Sequence, residues 1–140
     1  MKICIVLTLI CCLLALSGCP DQDTQTTVTG AVPSTSAEVI NLTDSDFEAS
    51  IAKGVVLVDF WATWCGPCQY QGPIVEAVAQ QVQGKATVAK LDVDIASVTA
   101  GKYQTTSIPT LIVFKDGSPV KRFVGVTQAD KLLAAIEGAL

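Results

Sequence analysis

Cys65 and Cys68 stand two residues apart in Trp64-Cys65-Gly66-Pro67-Cys68, and they are the side chains of this sequence best suited to covalent chemistry. An apolar run, Val55 to Trp61, precedes them and a helical pattern follows, so the pair opens a helix. A helix N-terminus presents unsatisfied N–H groups and the positive end of the macrodipole. Both stabilise a thiolate, which makes Cys65 the low-pKa nucleophile. Pro67 needs no N–H partner in the first turn and stiffens it. Cys68 lies one turn further on, within reach of a sulfur bound to Cys65. The chemistry such a pair offers is thiol–disulfide exchange. Cys65 attacks a disulfide, Cys68 attacks the mixed disulfide, and the partner leaves reduced.

Other chemistries are excluded by what is missing. The 140 residues contain no His, which removes His-based zinc sites, Ser-His and Cys-His pairs and His proton shuttles. A zinc site needs four ligands, so only a cluster shared between two chains would use this pair as metal ligands. Neither a metal nor a cofactor is expected. Nine Lys+Arg against 13 Asp+Glu leave a net charge of −4, which argues against binding nucleic acid through a basic field.

The N-terminus is a separate unit. Lys2 is followed by Ile3 to Leu16, in which Thr8 is the sole polar residue. That is shorter than the ~20 apolar residues a membrane span needs, and it has the architecture of a secretory signal. Leu16-Ser17-Gly18-Cys19 resembles a bacterial lipobox, which implies cleavage before Cys19 and lipid on its thiol. Ordinary cleavage that leaves Cys19 free is the alternative. Cys4, Cys11 and Cys12 leave with the signal, so no structural disulfide remains possible beside Cys65 and Cys68. Several acyl chains would hold the protein stably on a membrane. The stretch from Pro20 to Ser36 is polar, lacks aromatic residues and reads as a tether with a span of roughly 20–25 Å. The expected organisation is therefore a signal over 1–18, a lipidated tether over 19–36 and one folded domain over 37–140.

The domain alternates strand and helix patterns. Glu38 to Asn41 reads as a strand. Thr43 and Asp46 form a capping-box pattern for a helix over 44–53, with Gly54 as its stop. Val55 to Trp61 reads as a central strand covered on both faces. Ile74, Val75, Val78, Ala79 and Val82 mark a helix kinked by Pro73. Thr87 to Val93 is a strand and Ile95 to Tyr103 a short helix. Thr110 to Phe114 and Val120 to Val124 form a hairpin across Asp116-Gly117. Thr127, with Asp130 three residues later, opens a last helix through Leu133, Ile136 and Leu140. The order βαβαβαββα favours parallel pairing with an antiparallel terminal hairpin. Asp59 interrupts the apolar strand between Val58 and Phe60. Burial there raises its pKa.

With those residues placed, the sequence resembles thioredoxins over nearly all of 37–140. The resemblance is carried by Val58-Asp-Phe-Trp-Ala-Thr-Trp-Cys-Gly-Pro-Cys68, Pro73, Ala89-Lys-Leu-Asp-Val-Asp94, Ser107-Ile-Pro-Thr110, Phe114-Lys-Asp-Gly117 and Gly125. It implies an α/β thioredoxin fold, with a central mixed sheet of four or five strands flanked by helices. It implies that Cys65 is the exposed nucleophile and Cys68 the resolving thiol. Asp59 matches a buried acid that helps move the proton of the second cysteine, and Lys90 the lysine near that acid. Pro109 matches a cis-proline facing the disulfide, whose preceding backbone pairs with substrate. Trp61, Trp64, Ile108 and Gly125 match the apolar docking surface, with Gly66 and Pro67 on the same substrate-facing rim.

Departures from the family pattern sit around the second cysteine. Gln69 stands where a basic residue is common, Ser107 where many members have Gly, and Tyr70 and Gly72 vary the helix start. These are expected to change partner choice and potential, not reaction type. The absence of a large insert between the second and third β units argues against the branch devoted to cytochrome c maturation. Gly-Pro between the cysteines resembles the reducing branch, near about −270 mV, not the strong periplasmic oxidants near about −120 mV. The expectation is a monomeric, lipid-anchored reductase of protein disulfides in a bacterial cell envelope, its domain on the extracytoplasmic, periplasmic side. Its partners are disulfide-containing clients and a membrane electron donor. The competing expectation is a non-catalytic binding module that uses the same docking surface.

Overall fold

The computed structural model describes residues 38–140. The stretches expected to be a signal and a tether, Cys19 included, lie outside the described residues. Nine elements follow in order: β1 (Ile40–Leu42), α1 (Phe47–Ile51), β2 (Val55–Trp61), α2 (Gly66–Val82), β3 (Thr87–Asp92), α3 (Ser97–Lys102), β4 (Thr110–Lys115), β5 (Ser118–Val124) and α4 (Ala129–Glu137). The five strands form one mixed sheet in the order β1-β3-β2-β4-β5.

Strand β2 sits at the centre, and residues 55 to 60 are all buried. Side chains on a strand alternate between faces. Val56, Val58 and Phe60 join a core with Phe47, Ile51, Ala96 and Phe114, under α1 and α3. Val55 and Leu57 join a second core with Val75, Val78, Val82, Leu132 and Ile136, from α2 and α4. Asp59 has the parity of this second face.

Strands β1 and β2 both run parallel to β3. Strand β4 runs antiparallel to β2, although a helix separates it from β3. This differs from the parallel pairing that strand–helix alternation favours. The geometry explains it. Trp61 pairs with Asp92 where β2 and β3 end, and Thr110 pairs with Phe60 at that same end. The chain therefore re-enters the sheet where it left. Six-residue α3 is about 9 Å long, too short by itself to carry the chain back along a strand of about 20 Å. Seventeen-residue α2, about 25 Å long, does carry it back.

Local expectations shift in several places, among them α3, which spans Ser97–Lys102 and not Ile95 to Tyr103, and α4, which ends at Glu137 and not Leu140. Strand β1 begins two residues late, at Ile40. Helix α1 begins at Phe47 because the Asp44 carboxylate is engaged elsewhere, accepting the N–H of Thr99 at 2.7 Å and of Val98 at 3.3 Å. Half of the capping box survives, with the Thr43 N–H donating to the Asp46 carboxylate at 2.7 Å. Strand β5 begins at Ser118 and includes Pro119, tolerated on the sheet's edge. Asp116 and Gly117 take φ of 46° and 83°, the left-handed pair a tight two-residue hairpin turn requires. Helix α4 is flanked by Gln128, not Thr127, because Thr127 is bonded into another contact.

Candidate active site

The chain leaves β2 at Trp61 and turns through Ala62, whose carbonyl accepts the Cys65 N–H at 3.1 Å. That turn puts Cys65 at the N-cap of α2 in an extended conformation, with Pro67 in the first turn. The Cys65 sulfur accepts the Cys68 N–H at 3.2 Å. Cys65 and Cys68 are joined as a disulfide, with their Cα atoms 5.3 Å apart. A sulfur capping a helix is held where N–H dipoles favour its anionic form.

In this oxidised state the cysteines are equally buried, each 3% exposed. Ala62 completes their small cluster, with Trp61, Val93 and Ile108 packed against it. The expectation of an exposed Cys65 is thus corrected for the disulfide form. What distinguishes the two residues is the hydrogen bond at the helix start, where the Cys65 sulfur is the acceptor.

The rim is where a partner can reach the pair. Trp64 is 69% exposed and its indole N–H donates to Asp94 at 2.7 Å. Gly66 and Pro67 are exposed, and a side chain added at Gly66 would meet open space. Ile108 is half-buried against the cysteine cluster, and the Ile108–Pro109 peptide bond is cis. Gly125 has φ of 84°, and its N–H donates to the Pro109 carbonyl at 2.8 Å. The docking residues implied by the sequence therefore stand on three adjoining segments.

Asp59 is fully buried, and neither carboxylate oxygen has a hydrogen-bond partner. Loss of water pushes its pKa up to about 7, and Lys90 pulls it back only in part. Lys90 pairs with Asp59 across β2 and β3, so both project from the same face. The ammonium lies over the Trp61 ring, 4.6 Å from its centroid. It reaches the first turns of α2, where a Cβ added at Gly72 would stand 3.7 Å from Lys90 Nζ, an ordinary contact. Gly72 lies one turn beyond Cys68, which sets Asp59 and Lys90 beneath the opening turns of α2.

The sequence pattern alone did not single out Gln71. It is 0% exposed, and its amide makes both its hydrogen bonds to the backbone of Thr127. A signal for it was present. Cys68, Gln71, Val75, Val78 and Val82 form one buried stripe of α2, so Gln71 is a polar side chain on an apolar face.

A dithiol at a helix N-terminus, beside a cis-proline and over a buried acid, defines a thiol–disulfide oxidoreductase. The chain is similar to known proteins over most of its length. The family model described as Thioredoxin matches residues 38–138. A thioredoxin of Staphylococcus epidermidis is 52% identical over 99 residues, 71% of this chain and 95% of that protein. One of Staphylococcus aureus is 50% identical over the same shares. A solved mutant thioredoxin from Halobacterium salinarum superposes with a TM-score of 0.68 and 38% identity, covering 74% of this chain and 92% of that one. The chain belongs to the thioredoxin family.

Proposed function

We propose that this chain reduces protein disulfides in a bacterial cell envelope, anchored through lipid on Cys19 with the domain on the extracytoplasmic side. The observation that carries the reductase reading is the Cys65–Cys68 pair capping α2 above an acid whose pKa is raised to about 7. Gly66-Pro67 between the cysteines supports the reducing direction. The short apolar run and the Leu-Ser-Gly-Cys sequence support export and lipidation. A membrane protein carries electrons across the bilayer to the chain, which acts as a monomer.

The cycle uses groups placed above. Cys65 thiolate attacks one sulfur of the client disulfide, forming a mixed disulfide and releasing one client thiolate. The Cys68 thiol gives up its proton with Asp59 as acceptor, a carboxyl poised near neutrality for that transfer. Cys68 then attacks Cys65 Sγ, closes the Cys65–Cys68 disulfide and expels the second client thiolate. Two electrons pass from dithiol to client. Lys90 tempers the Asp59 pKa, and Trp64, Gly66, Pro67, Ile108, Pro109 and Gly125 hold the client chain across the disulfide.

The test is trapping in the native host with Cys68→Ser, which stalls the mixed disulfide on Cys65. Extracytoplasmic proteins bound through Cys65 are the expected catch, and labelled fatty acid should appear on the parent but not on Cys19→Ser. A catch of cytoplasmic proteins alone, or unmodified Cys19 in the parent by mass spectrometry, contradicts the location.

A further inference from the structure

We propose that Gln71 is a positioning residue for client docking, acting by holding the Gly125–Thr127 loop against α2. The Gln71 Nε2–H donates to the Thr127 carbonyl at 3.1 Å, and the Thr127 N–H donates to Gln71 Oε1 at 2.7 Å. The side-chain amide thus pairs with one residue's backbone as a neighbouring strand would. Both Gln71 and Thr127 are buried, so these groups have no water to fall back on.

The contact continues to the disulfide's surroundings. Thr127 Oγ1 donates to the Gly125 carbonyl at 3.0 Å, and the Gly125 N–H donates to the Pro109 carbonyl at 2.8 Å. One connected path therefore runs from α2, three residues past Cys68, through Gly125 to the cis-proline segment. Those are the three segments that frame the client in the reading above, on which this inference rests. Gln71 touches neither sulfur nor client. It fixes the distance between surfaces that must grip the client together, and binding across several preset contacts is lost when one of them drifts.

Gln71→Met keeps the length and removes both hydrogen bonds. Thr127→Val removes only the hydroxyl link to Gly125. Insulin reduction by the chain with dithiothreitol as electron source separates KM from kcat. For Gln71→Met, KM should rise about tenfold, as expected for losing buried hydrogen bonds that hold a docking loop, while kcat changes less than about twofold. Thr127→Val should raise KM in the same direction by about threefold, and the double variant should add little, because both cut one path. A purely structural role would lower the unfolding midpoint and leave KM unchanged, which overturns the inference. Thr127→Val alone decides the matter if Gln71→Met does not fold. A parent chain that fails to turn over insulin overturns the client-reduction reading and this inference with it. A parent that turns over, beside variants with unaltered KM, overturns the inference alone.

Discussion

On the α1/α3 side of the sheet, Phe60 meets Phe47 and Tyr103, and both of these meet Phe114, in a cluster of rings whose paired centroids lie 5.2 to 6.3 Å apart. On the α2/α4 side of the same strand, the neighbouring residue is Asp59, with two unpaired buried oxygens. The core of the first face is built from apolar and aromatic side chains, and the buried polar groups beside them are the small hydroxyls of Thr99 and Thr110. The second face carries Asp59, Lys90, Gln71 and the cysteine helix. Alternation along β2 lets one strand anchor the fold through one set of side chains and serve the dithiol through the other. An acid costs stability where it is buried, and the ring cluster behind it can offset that cost without touching the chemistry.

The comparison breaks most visibly at the rings. Phe47→Ala should cost about 3–5 kcal/mol, because a fully buried ring with three aromatic neighbours leaves a cavity. Denaturant unfolding measures the loss. Below the transition, insulin reduction per folded molecule should match the parent. A slowed exchange step in folded Phe47→Ala would mean that the two faces are not independent.

Asp59→Asn should act in the opposite direction. The folded pKa of about 7 lies above the ordinary 3.8, so the fold binds a proton that the unfolded chain has released. Stability is therefore full below pH 3.8, falls as pH rises toward 7, and stays lowered above it. The charge costs at most about 4 kcal/mol on the alkaline side. Asp59→Asn should unfold at higher denaturant than the parent at pH 8, with the gap closing toward pH 4, and it should slow exchange. A variant less stable at pH 8 and equally fast would show an acid with no part in either effect.

A smaller effect separates the cysteines. With reduced protein at pH 7, iodoacetamide should label Cys65 about tenfold faster than Cys68, since Cys65 caps the helix and accepts the Cys68 N–H. Mass spectrometry of the half-labelled chain reads this directly. Equal rates would contradict the assigned roles. The smallest effect belongs to the ion pair of Lys102 and Glu48, 2.5 Å apart and exposed on both sides. Glu48→Gln should leave the unfolding midpoint unmoved, as surface pairs commonly do.

The same contrast explains what was legible in the sequence. Strand β2, the Cys65–Cys68 helix start and the buried Asp59 were readable because each rests on local pattern: an apolar run, a spacing of three and one charge in the wrong place. The antiparallel entry of β4 was not, because it depends on which end of the sheet the chain reaches after α3. Thr127 resembles a helix cap by spacing, but its N–H is taken by Gln71, 56 residues away in sequence. Helix α1 is shorter than its pattern suggests for a similar reason, since Asp44 serves the start of α3 from across the fold. Polar groups with distant partners escape a local reading, and those governed by neighbours do not.

That the α2/α4 face holds an acid tuned for proton transfer at neutral pH is the claim on which the two-face division rests. Carbon-13 NMR of the Asp59 carboxyl in the oxidised chain, assigned through Asp59→Asn, tests it most directly. The expected titration midpoint is near pH 7. A midpoint below about pH 5, within the ordinary carboxylate range, would contradict it.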